Sequence, residues 1–307
     1  MRKIILLVIL VVAIGAVLVL LRGSEDDWIC QNGQWVKHGN PSKPMPTTLC
    51  EGQKEVREIE LYLPAAGTQT VGTKFMLYGK GRAFENTINY RISEDNGPDL
   101  PEANRGSSIT NDRDNQLYLG SFMTNAPDAG IFGYFNQEVD LTKLLKTIPS
   151  VIRLDVLELS AKDGSDIHKT SFKLNVDQSV TAVFAYFSNN NLDPEISCNK
   201  TFAVARLVPK TQSVLKAAIE ELLKGPTPAE AELGFGTSIN PGVTINFVKI
   251  SGDTATIDFS PKLDENMGGS CRVTAIRNQI TNTAKQFANI KNVIISINGE
   301  SELILQP

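Results

Sequence analysis

The 307-residue sequence has little of what enzymes use: two histidines, two tryptophans, four cysteines and 7% aromatic residues. His38 and His168 lie in different segments, which leaves little room for imidazole acid–base chemistry. No G-x-S-x-G, H-E-x-x-H or phosphate-binding P-loop occurs, and no paired-carboxylate motif stands out. The chain therefore reads as non-catalytic, with no catalytic residues to name. Zinc is excluded on spacing: Cys30, His38 and Cys50 give three ligands and no C-x-x-C step. The acidic stretch 94–115, with Asp95, Asp99, Asp112 and Asp114, lacks EF-hand spacing and reads as a solvated or recognition loop. Neither a metal nor a cofactor is expected. A basic stripe is also missing. Net charge is −4, and setting aside Arg2, Lys3 and Arg22 leaves −7 for residues 23–307, which argues against a nucleic-acid partner.

One long apolar run is present. Residues 4–21, IILLVILVVAIGAVLVLL, carry no charge. As a helix they span about 27 Å, close to bilayer hydrocarbon thickness. A buried core helix keeps a polar face, and this run has none. A cleaved signal peptide has a shorter apolar region ending in small residues, but Leu20, Leu21 and Arg22 stand there instead. The reading is a transmembrane anchor in the cytoplasmic membrane. Arg2 and Lys3 precede the run and Glu25, Asp26 and Asp27 follow it, which places the N-terminus inside and residues 23–307 outside.

An even number of cysteines outside the membrane points to disulfides. The segment from Cys30 to Cys50 is too poor in aliphatic residues to build a core, so a Cys30–Cys50 staple is expected. A loop of that length contributes about 3 kcal/mol in the chain-entropy model. Trp28, Trp35 and Met45 are expected to pack over it. Cys198 and Cys271 both lie in the C-terminal third and are paired with each other. Cys271, after GGS at a helix start, is also a candidate thiol, but no histidine lies in its segment.

Four regions follow: 1–22 as cytoplasmic tip and anchor, 23–56 as the stapled Cys/Trp segment, 57–177 as a β-sandwich, and 178–307 as an α+β domain. In the third, seven strand-like runs (59–64, 74–84, 87–93, 116–123, 131–141, 151–160 and 168–176) are separated by Gly, Asn, Asp and Pro. That count suggests an immunoglobulin-like sandwich. Within it, GKG (79–81) reads as a bulge or bend and KDGSD (162–166) as a turn with Gly164 in the awkward conformation. In the fourth region, strands are expected at 179–188, 201–209, 243–250, 254–260, 292–298 and 302–306. Helices are expected at 213–225, capped by Ser213, and after Ser270. The two helices should cover one face of a mixed sheet. Phe184, Tyr186 and Phe187 read as core and strand-face aromatics, and GPTPAE (225–230) as a helix stop and loop, with an exposed recognition stretch as the alternative.

Two family resemblances are carried by these residues. RLVP (206–209), LLKGPTPAE (222–230), GFGTSINPGVTI (234–245), GDTATIDFS (252–260) and the helix after GGSC together resemble the GerMN domain of sporulation and spore-germination proteins. LYLPAAG (61–67), GKGRAFENTINYRI (79–92) and LELSAKDGSD (157–166) resemble the immunoglobulin-like domain associated with spore germination. The resemblance implies an extracytoplasmic role without catalysis and with protein–protein contacts; the apolar run, the cysteines and the missing catalytic motifs make envelope proteins, copies of this chain included, the expected partners. GerMN is similar to ring-building domains of secretion and sporulation assemblies. Some relatives are lipoproteins, whereas this chain has an apolar run, and the Cys/Trp segment belongs to neither pattern. The leading expectation is a membrane-anchored interaction and assembly protein. A peptidoglycan or glycan-binding module is the alternative, and a cell-wall hydrolase accessory the remote one.

Overall fold

A computed structural model describes residues 27–31, 34–46, 57–65, 70–95, 115–266 and 268–306. The apolar run 4–21 and Cys50 lie outside these residues. Among those described, no helix is long and apolar enough to cross a membrane. The contacts group the chain into two units, Met1–Arg57 and Glu58–Pro307.

In the first unit, β1 (Asp27–Gln31) pairs antiparallel with β2 (Gln34–His38), a hairpin not anticipated from the sequence. The Trp28 indole N–H donates to the Lys43 carbonyl at 2.9 Å, folding the following segment back on the hairpin. Met45 is 54% exposed, so it does not pack as expected.

The second unit begins with eight strands in two sheets. β3 (Ile59–Leu63), β5 (Lys74–Gly81) and β8 (Gly133–Asp140) form one sheet. The other has the order β4 (Thr70–Val71), β10 (Asp166–Val176), β9 (Val151–Leu159), β6 (Thr87–Glu94) and β7 (Gln116–Met123). β4 runs parallel to β10 and every other pair is antiparallel. This distribution is that of an immunoglobulin-type sandwich. Alternation builds its core: Ile88, Tyr90 and Ile92 of β6 and Ile152, Leu154 and Val156 of β9 face Phe75 and Leu77 of β5 and Phe135 and Val139 of β8. The bulge expected at GKG falls on the facing strand. Leu61 pairs with Gly79 and Leu63 with Tyr78, so Tyr62 is the extra residue. Gly79 permits this approach, since a Cβ there would run into the Glu60 carbonyl and the Phe135 ring. A short helix α1 (Leu141–Leu144), capped by Asp140, links β8 to β9.

The C-terminal half contains β11 (Val180–Asn189), β12 (Phe202–Pro209), α2 (Val214–Leu223), α3 (Pro228–Glu232), β13 (Phe235–Gly236), β14 (Ile245–Ser251), β15 (Thr254–Phe259), α4 (Ser270–Lys285) and β16 (Asn292–Ile297). In place of one mixed sheet there are two three-stranded sheets, β12-β11-β13 and β14-β15-β16, with β15 and β16 parallel. α2 buries Leu215, Ala218, Ile219 and Leu222, and α4 buries Val273, Ile276, Ile280 and Ala284. β13 covers only the end of β11, at Ser188 and Asn189. The rest of that edge is completed by side chains of the long helix. Gln286, just past α4, accepts from the Phe184 N–H and donates to the Phe184 carbonyl, both at 2.8 Å, while the Thr283 hydroxyl accepts from the Tyr186 N–H. Side chains here satisfy backbone groups that a further strand would otherwise take up.

Four details depart from the sequence expectation. Ser213 stands at an N-cap but makes no side-chain cap bond. Gly269, not Ser270, is the N-cap of α4. Residues 302–306 are not a strand; Ile304 and Leu305 are buried through bonds from Arg277 to the Ile304 carbonyl and from the Leu305 N–H to Asp264. The stretch 225–230 is not a plain loop, since Thr227 and Glu230 form a reciprocal capping box at the start of α3.

Candidate functional site

Tyr78 on β5 is fully buried, yet its ring leaves the sandwich core and joins the core of the C-terminal half. It meets Phe235 edge-on with ring centroids 4.9 Å apart, and Tyr62 and Tyr134 flank it. Its hydroxyl donates to the Leu233 carbonyl at 2.8 Å and accepts from the Asn191 amide at 3.1 Å, with Asn189 at 3.4 Å. Burial pushes the phenol pKa up and outweighs the two asparagine bonds that lower it, so the hydroxyl stays protonated. Beside it, Met76 packs on Phe184 and Ala203, and Asn136 donates to the Ala203 carbonyl. Asn125 reaches across to the Asn191 carbonyl. Apolar packing and directed hydrogen bonds thus fix the two halves at one angle, and the polar groups set the register.

Among the described residues, several clusters of chemistry-bearing side chains have internal partners. In the sandwich, Arg91 makes two bonds to Asp166, at 2.5 and 2.7 Å, with Asp155 opposite it on β9. His168 Nδ1 lies 2.9 Å from Glu158, whose other oxygen accepts from the Phe84 N–H. In the C-terminal half, Arg206 grips Glu230 through two bonds of 2.6 Å. Asp258 accepts from Ser296, Asn246 and the Gly299 N–H. Asp193 accepts from Ser197 and Lys200; burial pushes its carboxyl up, but these bonds hold it below the usual range. A cleft of about 190 Å³ lies along the seam, walled by Pro64, Val71, Met76, Ala205 and Leu207. Among the described residues no group of three or more His, Cys, Asp or Glu is placed to hold a metal ion.

A disulfide joins Cys198 to Cys271, with Cα atoms 5.3 Å apart. It pins the loop between β11 and β12 to the first turn of α4 and occupies the Cys271 thiol. A closed loop of 73 residues corresponds to about 4 kcal/mol in the chain-entropy model. Within that loop Ile196 and Cys198 adopt φ of 50° and 64°, and Ile196 is 64% exposed. The Ile196 N–H donates to the Asp193 carbonyl at 3.0 Å.

The remaining residues singled out from the sequence fall as follows. Cys30 lies on β1, but a Cys30–Cys50 bridge falls outside the described residues. Asp95 pairs with Lys173 at 3.4 Å, whereas Asp99, Asp112 and Asp114 lie outside the described residues. Gly164 takes φ of 70° in its turn, where Asp163 accepts from the Ser165 N–H and hydroxyl. Phe184 and Phe187 are buried and Tyr186 is half-buried. Sequence reading missed Tyr78, because a core tyrosine shared between two halves has no local signature. It also missed the Arg206–Glu230 pair, although T-P-A-E (227–230) is a capping-box pattern.

Residues 185–302 match the family model Germane, described as "Sporulation and spore germination". Among solved structures, the chain is similar to the tandem GerMN domains of the sporulation protein GerM from Bacillus subtilis. Identity there is 25% and the TM-score 0.30, over 40% of this chain and 41% of that one. It is also similar to the first GerMN domain of the same protein, at 27% identity and a TM-score of 0.30, over 39% of this chain and 85% of that one. The chain thus spans less than half of the tandem-domain structure. No curated protein matches it.

Proposed function

We propose that this chain, whose residues 185–302 are a Germane (GerMN) domain, is a non-catalytic assembly protein of the bacterial cell envelope acting in sporulation or germination. In this reading residues 4–21 anchor it in the cytoplasmic membrane, with residues 23–307 outside and envelope proteins as its partners. The family match carries the sporulation role. The apolar run and the cysteines of the sequence support the compartment.

The buried seam supports a scaffolding role. Tyr78, Met76, Asn125 and Asn136 fix the sandwich against the GerMN half, so surfaces on both are presented at one angle. A presenting scaffold needs this property, and a chain of independent modules does not. The described clusters at Arg91, Arg206 and Asp258 are used in building the fold, which suits a binding protein.

The test is crosslinking in intact sporulating cells, with identification of the captured proteins, alongside protease treatment of spheroplasts. Capture of envelope proteins and digestion of residues 23–307 from outside are the expected results. Retention on purified cell wall with no protein captured would transfer the reading to glycan binding. Full protection of that region from protease would reverse the topology.

A further inference from the structure

We propose that the Cys198–Cys271 bridge is a thiol–disulfide exchange site, opened by a dithiol reductant and re-formed while the domain around it stays folded. This property goes beyond the assembly reading and does not depend on it. The bridge is open to solvent: Cys271 is exposed, Cys198 is half-buried, and residues 194–197 of the same loop are exposed. Exposed disulfides are the ones that exchange, since the attacking thiolate must reach a sulfur.

Both anchors of the bridge are held by other bonds. In the loop, the Asp193 carboxylate accepts from the Ser197 N–H at 2.8 Å, the Ser197 hydroxyl at 2.6 Å and Lys200 at 3.1 Å, and the Asp193 N–H donates to the Asn189 carbonyl at 2.9 Å. The loop end is tied to α4 directly, where the Asn282 amide donates to the Thr201 hydroxyl at 2.8 Å. At the start of α4, Val273 and Ile276 are buried, and Arg272 donates to the Asn240 side chain and to the Ser238 and Asn266 carbonyls. Cutting the S–S bond therefore leaves two thiols close enough to join again. The stabilisation from the bridge acts through the unfolded chain, so its loss lowers stability without dissolving the folded state.

The two sulfurs are unequal. Cys271 is the second residue of the 16-residue α4, whose N-cap, Gly269, makes no side-chain cap bond. A thiolate there gains from the helix start and from Arg272, whose bonds all go to neutral oxygens. Cys198 has no helix end, and nearby Lys200 is paired with Asp193. Exchange is thus directional. A reductant thiolate attacks Cys198 Sγ, a new S–S bond forms there, the Cys198–Cys271 bond breaks, and Cys271 leaves as the thiolate. The second thiol of the reductant then displaces Cys198. The reductant dithiol ends as a disulfide, and the bridge has taken two electrons and two protons to give two thiols.

The experiment treats the purified full chain in detergent with dithiothreitol, without denaturant, and maps the labelled cysteines by mass. Cys198 and Cys271 should both be labelled while circular dichroism is unchanged, and oxidised dithiothreitol should close the bridge again. A bridge that opens only in urea overturns the proposal, and so does a reduced chain that loses its fold. In the reduced chain at pH 6, Cys271 should alkylate about fivefold faster than Cys198, and the ratio should shrink toward pH 9 and vanish in urea. A ratio that ignores pH reflects access alone and overturns Cys271 as the leaving group. The crosslinking and protease outcomes of the assembly reading stand apart from every one of these results.

Discussion

In the sandwich, Arg91 is 1% exposed and lies between Asp166 and Asp155, and among the described residues neither Asp155 oxygen accepts a hydrogen bond. Arg91 and Arg153 stand 3.8 and 3.5 Å from that carboxylate, close enough for Coulomb attraction but not for bonding geometry. Two buried acids of the C-terminal half are held differently from Asp155. Glu230 is bidentate to Arg206 and closes a capping box, and Asp258 takes three donors at 2.6 to 2.8 Å. The contrast follows from architecture. Arg91, Asp155 and Arg153 are neighbours on adjacent strands of one sheet, where few neutral donors are within reach. Glu230 and Asp258 stand at a helix start and a turn, where the free N–H groups of Thr227 and Gly299 reach them. A buried ion pair held by charge alone is costly to break from one side and adds little net stability when intact.

The largest expected effect tests that difference directly. Arg91→Met removes the bidentate partner of Asp166 and one of the two arginines beside Asp155, and should cost about 3–5 kcal/mol. Chemical denaturation of the purified chain measures it. Adding Asp155→Leu should recover part of the loss, because an apolar pair replaces an uncompensated charge. A cost under about 1 kcal/mol would mean that water reaches the cluster and the sandwich is not organised around it.

How much of this was legible from the chain depended on whether the signal was local. Strand runs such as 87–93 and 151–160 carry their alternation in sequence, and β6 and β9 fall within a residue of them. The helix faces of α2 and α4 are visible from Leu215, Ile219, Val273 and Ile276. The closing segment misled because ELILQ is apolar enough for a strand, yet Ile304 and Leu305 are taken up by side chains of Arg277 and Asp264, distant in sequence. β4 is only two residues long and too short to show a period. The β1–β2 hairpin has a signal in the Asn32-Gly33 pair between Gln31 and Gln34, but its strands carry little aliphatic alternation. The seam at Tyr78 emerges only once strand order is known.

A middle-sized effect probes the boundary between the two regions. Tyr78→Phe keeps the ring contacts with Phe235 and removes the hydroxyl that bridges Leu233 and Asn191. The expected cost is about 1–3 kcal/mol, since the carbonyl and the amide lose a buried partner. Hydrogen exchange should quicken at Asn189–Leu192 and Leu233 before it quickens in β9. Loss of protection throughout both halves at once would mean that they unfold as one unit and the seam is not a separate weak point.

The smallest effect concerns acid. Burial pushes the Asp258 carboxyl up, but the bonds from Ser296, Asn246 and the Gly299 N–H outweigh it, and the folded pKa lies below the ordinary aspartate value. The unfolded chain then binds its proton at higher pH than the folded one. The stabilisation from Asp258 is fully present above the unfolded pKa, near pH 4, and is lost as pH falls through the depressed folded value. Asp258→Asn should therefore cost about 1 kcal/mol at neutral pH, and the gap to wild type should shrink as the solution is taken toward pH 3. Asp140 and Asp193 are shifted in the same direction, so the variant keeps part of the acid slope. Denaturation curves recorded at both pH values decide the matter. Two stability profiles that stay parallel down to pH 3 would show that the Asp258 bonds do not distinguish the charged from the protonated carboxyl. The contrast between the hydrogen-bonded Asp258 and the charge-held Asp155 of the sandwich would then fail at the residue on which it is clearest.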